Sequence, residues 1–304
     1  MQVLNRNSEK KTYGPISTDK QHFKEDDMAE RKAALVTGGG TGIGKACALS
    51  FLKRGYRVAI VGRRREKIEE AASEFKREFG EDAVVAIAAD VSKQEDVKEI
   101  FDTIEETFGR IDAVVNNAGV APSRPFLETS YEDYDRAIRI NQYGTFMCMQ
   151  QGARMMVSKG IAGVIINMGS IYGKVASGNI IGYNASKGAV EMMTKAAALE
   201  LAPYNIRVVA IAPGVIDTPM LDIDKERGTF EELYSKGMRK KPLDPSAIGE
   251  VAAFLASPEA DGINAVTIPV DDGFLEFKYG GSPDAEDRQS KTAAGQHHSF
   301  KSGI

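Results

Sequence analysis

Short apolar runs alternate with helical patterns along the chain from residue 32 onward. The runs are continuously hydrophobic and rich in Val, Ile and Ala, which is typical of strands that are buried on both faces. They lie at residues 33–36, 57–61, 83–88, 111–115, 163–168, 207–211 and 265–270. Apolar residues recur at helical spacing in the segments between them. The alternation predicts an α/β fold, a doubly wound parallel sheet (Rossmann-type) in a single domain.

Five helical segments are predicted between these runs. They lie at residues 42–54, 65–79, 97–108, 131–158 and 183–202. Residues 1–31 and 280–304 are instead polar and aperiodic, and too poor in apolar residues to offset the entropy lost on ordering. We therefore expect one domain at residues 32–279, a disordered or loosely attached N-terminal extension and a disordered C-terminal tail.

Polar residues, a glycine and a proline follow directly after the predicted strands. They are Thr37, Gly62, Asp90, Asn116, Ser170 and Pro213. In a parallel sheet the carboxyl ends of the strands meet at one edge, and ligands bind outside that edge where the strand order reverses. The pattern thus predicts one functional site along this edge.

A glycine-rich loop, Thr37-Gly38-Gly39-Gly40-Thr41-Gly42-Ile43-Gly44, joins the first run to the first helix. Its glycines let the backbone turn tightly and approach a diphosphate at the helix N-terminus. A P-loop is an alternative reading, because Gly39 and Gly44-Lys45 have nearly its spacing. That reading fails at Ala46, which stands where a Ser or Thr must hold Mg²⁺.

Tyr183 and Lys187 stand one helical turn apart, and Ser170 lies upstream of both. Residues i and i+4 share a helix face, so the Lys187 ammonium can reach a group beside the Tyr183 hydroxyl. A phenol titrates near pH 10 in water, and a nearby cation lowers that pKa toward neutrality. With Ser170 hydrogen-bonded to the same reacting oxygen, these residues suit proton transfer to or from a carbonyl or alcohol.

In their order and spacing, these motifs resemble the short-chain dehydrogenase/reductase family. The resemblance covers residues 32–273 and includes the glycine loop, Asp90-Val91, Asn116-Asn117-Ala118-Gly119, Asn141, Ser170, Tyr183/Lys187 and Pro213-Gly214. It implies a nicotinamide-dependent oxidoreductase that reduces a carbonyl or oxidises a secondary alcohol by hydride transfer, with Tyr183 as proton donor or acceptor.

The resemblance also implies the residues of the site. The catalytic set is Asn141, Ser170, Tyr183 and Lys187, in which Asn141 holds a water in a proton relay with Lys187. The cofactor set is Gly38, Gly40, Thr41, Gly42, Ile43, Gly44, Arg63, Asp90, Val91, Asn117, Gly119, Tyr183, Lys187, Pro213, Gly214, Ile216 and Thr218. An alternative role for Asp90 is to cap a helix that begins at Ser92.

The end of the second strand indicates which cofactor is used. An acidic residue there binds the 2′-hydroxyl of NAD, whereas Arg accommodates the 2′-phosphate of NADP. Here Gly62 is followed by Arg63, Arg64 and Arg65. We expect Arg63 to contact the phosphate, which favours NADP over NAD, and we expect Arg65 and Lys45 to be surface residues.

Composition excludes several classes of function. All three histidines lie outside the patterned core, at His22, His297 and His298, which argues against a Ser-His-Asp hydrolase or a His-ligated metal site. The net charge of −4 gives no reason to expect nucleic acid as a partner. No apolar stretch is long enough to span a membrane and no secretory signal pattern is present, so we expect a cytoplasmic protein.

Two departures from the family pattern bear on assembly. Asp271-Asp272-Gly273 replaces the usual Asp-Gly-Gly, and Asn264 replaces a frequent Gly. A homo-oligomer, tetramer or dimer, is expected nonetheless. The substrate is left open as a small carbonyl or alcohol covered by residues 215–241. Two rival functions are an NAD-linked dehydrogenase of the same fold and a dinucleotide-binding regulator without catalysis.

Overall fold

Seven parallel strands form one sheet at the centre of the protein. The computed structural model describes residues 31–276. The strands are β1 (Ala33–Thr37), β2 (Arg57–Gly62), β3 (Val84–Ala88), β4 (Ala113–Asn116), β5 (Val164–Met168), β6 (Arg207–Pro213) and β7 (Thr267–Val270). Every predicted apolar run contributes a strand, and the doubly wound parallel sheet is confirmed. The predicted extensions lie outside the described residues, apart from Arg31.

The strand order places a switch point beside β1. The order across the sheet is β3-β2-β1-β4-β5-β6-β7, and every neighbouring pair is parallel. The chain therefore winds outward in one direction from β1 to β3 and in the other from β4 to β7. The loops after β1 and β4 diverge between these halves, which opens a crevice at the carboxyl edge of the sheet.

Helices cover both faces of the sheet. They are α1 (Gly42–Lys53), α2 (Arg65–Phe79), α3 (Gln94–Phe108), α4 (Tyr131–Ala137), α5 (Thr145–Lys159), α6 (Ile181–Leu201), α7 (Asp222–Glu226), α8 (Phe230–Tyr234) and α9 (Pro245–Leu255). One buried apolar cluster contains residues of α1, α2 and α9, and the other contains residues of α3, α5 and α6. Strands β1 to β6 contribute residues to both clusters, so each of them is a continuous hydrophobic run.

The predicted helix at 131–158 differs from the observed one. A π-helical segment at Ile138–Gly144 separates α4 from α5 within one continuous helical run. The Thr145 hydroxyl donates to the Asn141 carbonyl at 2.8 Å, which gives that carbonyl a side-chain partner. Segments of this kind frequently mark functional sites.

Within residues 31–276, no helix has the length and apolar character that crossing a membrane requires.

Candidate active site

The loop between β1 and α1 is shaped by its glycines. Gly38 and Gly42 have φ angles of +67° and +52°, in the left-handed region that favours glycine. A Cβ on Gly44 would lie only 2.1 Å from the Gly38 carbonyl oxygen. The first turn of α1 therefore packs directly on the loop. Its N–H groups lack acceptors within the helix, and such a turn is suited to binding an anion.

The end of β4 is tied to the same loop by hydrogen bonds. Thr37 Oγ1 accepts from the N–H groups of Asn117 and Ala118 at 2.9 and 3.0 Å. The Asn117 side-chain amide in turn donates to the Thr37 carbonyl at 2.9 Å. Asn117 thus fixes the two loops that flank the switch point, a structural task besides its predicted contact with the cofactor.

A cleft of about 640 Å³ opens at this switch point. Its volume falls in the range of about 300–1,000 Å³ that is usual for cofactor pockets. Eleven predicted cofactor residues line it: Gly38, Gly40, Thr41, Gly42, Ile43, Arg63, Asp90, Val91, Asn117, Gly119 and Thr218. The structure thus brings residues from five loops to one cavity. Each of these cofactor assignments stays a prediction, now supported by position.

Three predicted cofactor residues at the end of β6 and just after it, Pro213, Gly214 and Ile216, lie outside this lining. A Cβ on Gly214 would lie 2.7 Å from the Cα of Asp271, so Gly214 permits close packing against the turn after β7. Pro213 is buried, and Ile216 is 3% exposed and bridged to Leu243. The side chains of Pro213 and Ile216 therefore belong to the core. Any cofactor contact at these two positions would therefore come from backbone atoms.

Asp90 and Arg63 face each other at the edge of the cleft. Arg63 Nη1 lies 3.9 Å from Asp90 Oδ2, and the Arg63 side chain is 55% exposed. Asp90 Oδ1 accepts from the Ser92 N–H and hydroxyl at 3.0 and 2.8 Å. The alternative of a helix beginning at Ser92 is wrong, because α3 begins at Gln94 after Lys93. Asp90 caps a turn instead and holds Arg63 beside the cleft.

Two further cations at this edge were missed by the sequence reading. Arg64 and Lys67 also line the cleft, Arg64 in the same basic run and Lys67 one turn into α2. By contrast, Arg65 pairs with Glu69 at 3.3 Å and Lys45 with Glu74 at 2.6 Å, as expected of surface residues. The cleft thus has a cationic rim next to β2.

Ser170 and Tyr183 face each other beyond the cleft. Ser170 caps the turn after β5, where its Oγ accepts from the Tyr172 N–H at 3.1 Å. Burial raises the pKa of the Tyr183 phenol, while a hydrogen bond with Ser170 acts in the opposite direction. This departs from the expectation that Lys187 lowers the pKa, because removal from water disfavours phenolate more strongly. Tyr183 is therefore protonated at neutral pH.

Lys187 lies beneath the Tyr183 ring. Its Nζ is 5.5 Å from the ring centroid and donates to the Met168 carbonyl at 2.7 Å. The side chain is 5% exposed, and burial lowers its pKa from 10.5 to about 8. The predicted pairing of Tyr183 and Lys187 on one helix face is present. The depth of the lysine is what the sequence pattern did not reveal.

Asn141 is fully buried and joins the catalytic helix to the cleft wall. Its Nδ2 donates to the Ser186 hydroxyl at 3.0 Å and to the Val120 carbonyl at 2.9 Å. Its Oδ1 accepts from the Val120 N–H at 2.8 Å. The side chain thus acts as a structural link, and its predicted water-holding role stays a prediction. Ser186 was missed, although its place between Tyr183 and Lys187 is a signal.

The buried lysine gives a testable pH dependence of stability. Lys187→Met removes a group whose folded pKa lies below its unfolded value. At about 1.4 kcal/mol per pKa unit, the cost of keeping this lysine charged is about 3 kcal/mol. The wild type carries this cost in full below pH 8. Its folded state then releases the proton between pH 8 and 10.5, so its stability rises with pH relative to the variant.

Urea unfolding of both proteins at pH 7 and pH 10 measures this difference. We expect the free energy of unfolding of the wild type, minus that of Lys187→Met, to increase by about 2–3 kcal/mol between the two pH values. A pH-independent difference would contradict a depressed lysine pKa. Lys195→Met, an exposed lysine on the same helix, is the matched control.

Comparisons with known proteins agree with this geometry. A family described as enoyl-(acyl carrier protein) reductase matches residues 38–275. An NADP-dependent (R)-specific alcohol dehydrogenase of Lentilactobacillus kefiri is 38% identical over 254 residues, which cover 82% of this chain and 98% of that protein. A short-chain dehydrogenase/reductase of Armillaria gallica is 35% identical over 254 residues, which cover 82% of this chain and 97% of that protein.

Solved structures show the same likeness. The crystal structure of a 3-ketoacyl-(acyl-carrier-protein) reductase from Brucella melitensis complexed with NADH is 36% identical, with a TM-score of 0.74. The match covers 80% of this chain and 98% of that chain.

Proposed function

The chain belongs to the short-chain dehydrogenase/reductase family of oxidoreductases. From that premise we propose that it is an NADP-dependent enzyme that reduces a small ketone or aldehyde or oxidises the corresponding secondary alcohol. The observation that carries the proposal is the arrangement at β5 and α6. Ser170 acts on the pKa of the Tyr183 phenol, and Lys187 Nζ lies 5.5 Å from the centroid of the Tyr183 ring.

The glycine loop and the rim beside β2 fit the dinucleotide. Gly38 and Gly42 form a backbone cradle that a Cβ would obstruct, and the first turn of α1 supplies N–H donors for a diphosphate. Arg63 and Arg64 suit a 2′-phosphate. The nicotinamide ring, when bound, supplies or accepts the hydride.

The protein's own residues manage the proton. The substrate oxygen accepts hydrogen bonds from the hydroxyls of Ser170 and Tyr183, and these bonds strengthen as negative charge develops on that oxygen. Tyr183 then transfers its phenolic proton to the oxygen. Lys187 stabilises the phenolate that is left, since its ammonium lies 5.5 Å from the centroid of the Tyr183 ring and a nearby positive charge favours phenolate. Because the pKa of Tyr183 is raised, the phenol carries at neutral pH the proton that carbonyl reduction requires.

A substrate panel tests the function directly. The protein is assayed with ketones, aldehydes, acyl thioesters and secondary alcohols, using both NADP(H) and NAD(H), and the nicotinamide absorbance is followed. We expect turnover of at least one carbonyl, with kcat/KM for NADPH about tenfold or more above that for NADH, as one charged contact implies. Tight NADPH binding without turnover of any substrate would favour the regulator. Equal use of NADH would favour the NAD-linked alternative.

Arg63 provides a prediction on cofactor choice. Arg63→Ala is expected to weaken NADP(H) binding by about 1.5–3 kcal/mol, the value of a charge-assisted hydrogen bond, and to leave NAD(H) binding almost unchanged. Fluorescence titration with both reduced cofactors measures the two affinities. Arg65→Ala, which removes a neighbouring arginine paired with Glu69, should change neither. Equal losses for NADP(H) and NAD(H) would mean that Arg63 does not contact the phosphate.

Two further expectations stay predictions. They are the assembly into a homo-oligomer and the cytoplasmic location. Both cysteines, Cys47 and Cys148, are free and buried, which suits a reducing compartment.

A further inference from the structure

The turn after β7 contains a strained aspartate. Asp272 has a φ angle of +56°, a left-handed conformation that is uncommon outside glycine although Asp tolerates it better than most residues. Its carboxylate side chain is only 9% exposed. A residue in such a conformation persists where surrounding contacts determine it, and often where those contacts matter for function.

The contacts of Asp272 all reach one distant segment. Its carbonyl accepts from the Met238 N–H at 2.9 Å, and its Oδ2 accepts from the Arg239 N–H at 2.6 Å. Arg239 Nε donates to the other carboxylate oxygen. A Cβ on Gly237 would lie 3.0 Å from Asp272 Oδ2, so the chain at Gly237 passes close to the carboxylate. Asp272 thus holds Met238 and Arg239 by two hydrogen bonds to their backbone and one to the Arg239 side chain.

The fixed residues belong to a longer stretch that begins at the candidate cleft. We call residues 219–241 the covering segment. Pro219 and Met220, at its start, line the cleft. Asp224, further along, acts electrostatically on Tyr172. At its far end, Met238 packs against Gly273. The covering segment is therefore anchored to the cofactor cleft at one end and to the turn after β7 at the other.

The same turn also touches the catalytic neighbourhood. Phe274 packs edge-on against Tyr172, with ring centroids 6.3 Å apart and planes at 89°. Tyr172 in turn donates its N–H to the Ser170 hydroxyl oxygen. Asp271 holds this turn in shape, since its carboxylate accepts from the N–H groups of Gly273 and Leu275 at 3.0 and 2.9 Å.

We propose that residues 271–274 form a clasp that positions the covering segment and Tyr172 against the substrate side of the Ser170–Tyr183 site, with Asp272 as the positioning residue. This inference rests on the proposed function, because it assigns a substrate to that side. The side chains that the clasp holds there are apolar or aromatic. They are Tyr172, Met238 and Phe274. The clasp therefore selects carbonyl substrates with a bulky apolar group.

Asp272→Gly tests the clasp without imposing strain. Glycine adopts a φ of +56° readily, so the turn is kept while the carboxylate and its two bonds to Arg239 are lost. We expect KM for a bulky apolar ketone to rise about tenfold, as loss of a charge-assisted contact implies. We expect KM for a small ketone to rise less, kcat to stay within about threefold and the Kd for NADPH within about twofold.

Two variants serve as controls. Asp272→Asn keeps an oxygen that can accept from the Arg239 N–H, so its KM should fall between those of the wild type and Asp272→Gly. Asp102→Asn neutralises an exposed ion pair with Lys98 on α3 and should leave all constants unchanged. Equal changes in kcat, both KM values and the NADPH Kd would show general structural damage and overturn the positioning role.

Limited trypsin digestion tests whether the clasp holds the covering segment, without relying on catalysis. The covering segment contains Lys225, Arg227 and Lys236, and release of its far end should speed cleavage at these sites about tenfold in Asp272→Gly, since cleavage follows local opening. Unchanged cleavage would overturn the clasp whatever the assays give. Faster cleavage in a protein that turns over no carbonyl would keep the clasp and refute the proposed function.

Discussion

Tyr183→Phe is expected to lower kcat for carbonyl reduction by about 100-fold or more, the usual contribution of a positioned general acid. The substitution removes the only atom of Tyr183 that can donate a proton to the substrate oxygen. It keeps the aromatic ring above Lys187, whose Nζ lies 5.5 Å from the ring centroid. The Kd for NADPH should therefore stay within about twofold, because the lost hydroxyl acts on the substrate oxygen in the transition state and not on the bound cofactor.

Single-turnover absorbance measurements with saturating NADPH isolate this chemical step. Tyr204→Phe is the matched control, because it removes a phenolic hydroxyl from a half-exposed tyrosine after α6. It should leave kcat unchanged. A near-normal kcat in Tyr183→Phe would show that Tyr183 is not the general acid of the reaction.

The fold was largely predictable because the sheet is buried on both faces. Strands such as β1 and β6 are continuous apolar runs, and such runs can be recognised in the sequence before any tertiary contact is known. The π-helical segment around Asn141 was not predictable in this way. It depends on the Thr145 hydroxyl and on the partners that Asn141 finds in Val120 and Ser186, which the chain brings together only on folding.

Helix α9 was overlooked despite local signals. Asp244 caps it by accepting from the Ser246 N–H at 2.8 Å, and Pro245 occupies its first turn. Ile248, Ala252 and Leu255 then face the core at helical spacing. Cap, proline and periodicity are local signals that together predict a helix start at this position.

For the candidate site, spacing predicted which residues meet but not their environment. Positions 183 and 187 had to share a helix face, and strand ends had to share an edge. The pKa directions required burial, which set the raised pKa of Tyr183 and the lowered pKa of Lys187. Likewise, the clasp at Asp272 was visible in the sequence only as a departure from Asp-Gly-Gly. Its partner, Arg239, lies 33 positions away.

Gly44→Ala should be the most damaging single-methyl change in the cofactor region. An added Cβ would lie 2.1 Å from the Gly38 carbonyl oxygen and 2.6 Å from Asn117 Nδ2. The first of these is a backbone atom in the loop proposed to bind the diphosphate, so α1 must move away from the loop. We expect a loss of about 1–3 kcal/mol in the free energy of unfolding, the usual cost of overpacking, and about 100-fold weaker NADPH binding.

The sign of this effect distinguishes packing from helix propensity. Alanine is favoured over glycine inside a helix by about 1 kcal/mol, so without the clash Gly44→Ala would stabilise α1. The clash predicts a less stable variant that binds NADPH more weakly, whereas helix propensity alone predicts a more stable variant with unchanged NADPH binding. Thermal unfolding and NADPH titration of the variant distinguish the two explanations. Gly262→Ala is the control, because a Cβ there meets nothing within 4 Å, and it should change stability by no more than about 0.5 kcal/mol. A stabilised Gly44→Ala that still binds NADPH tightly would mean that α1 and the loop are not in the contact described here.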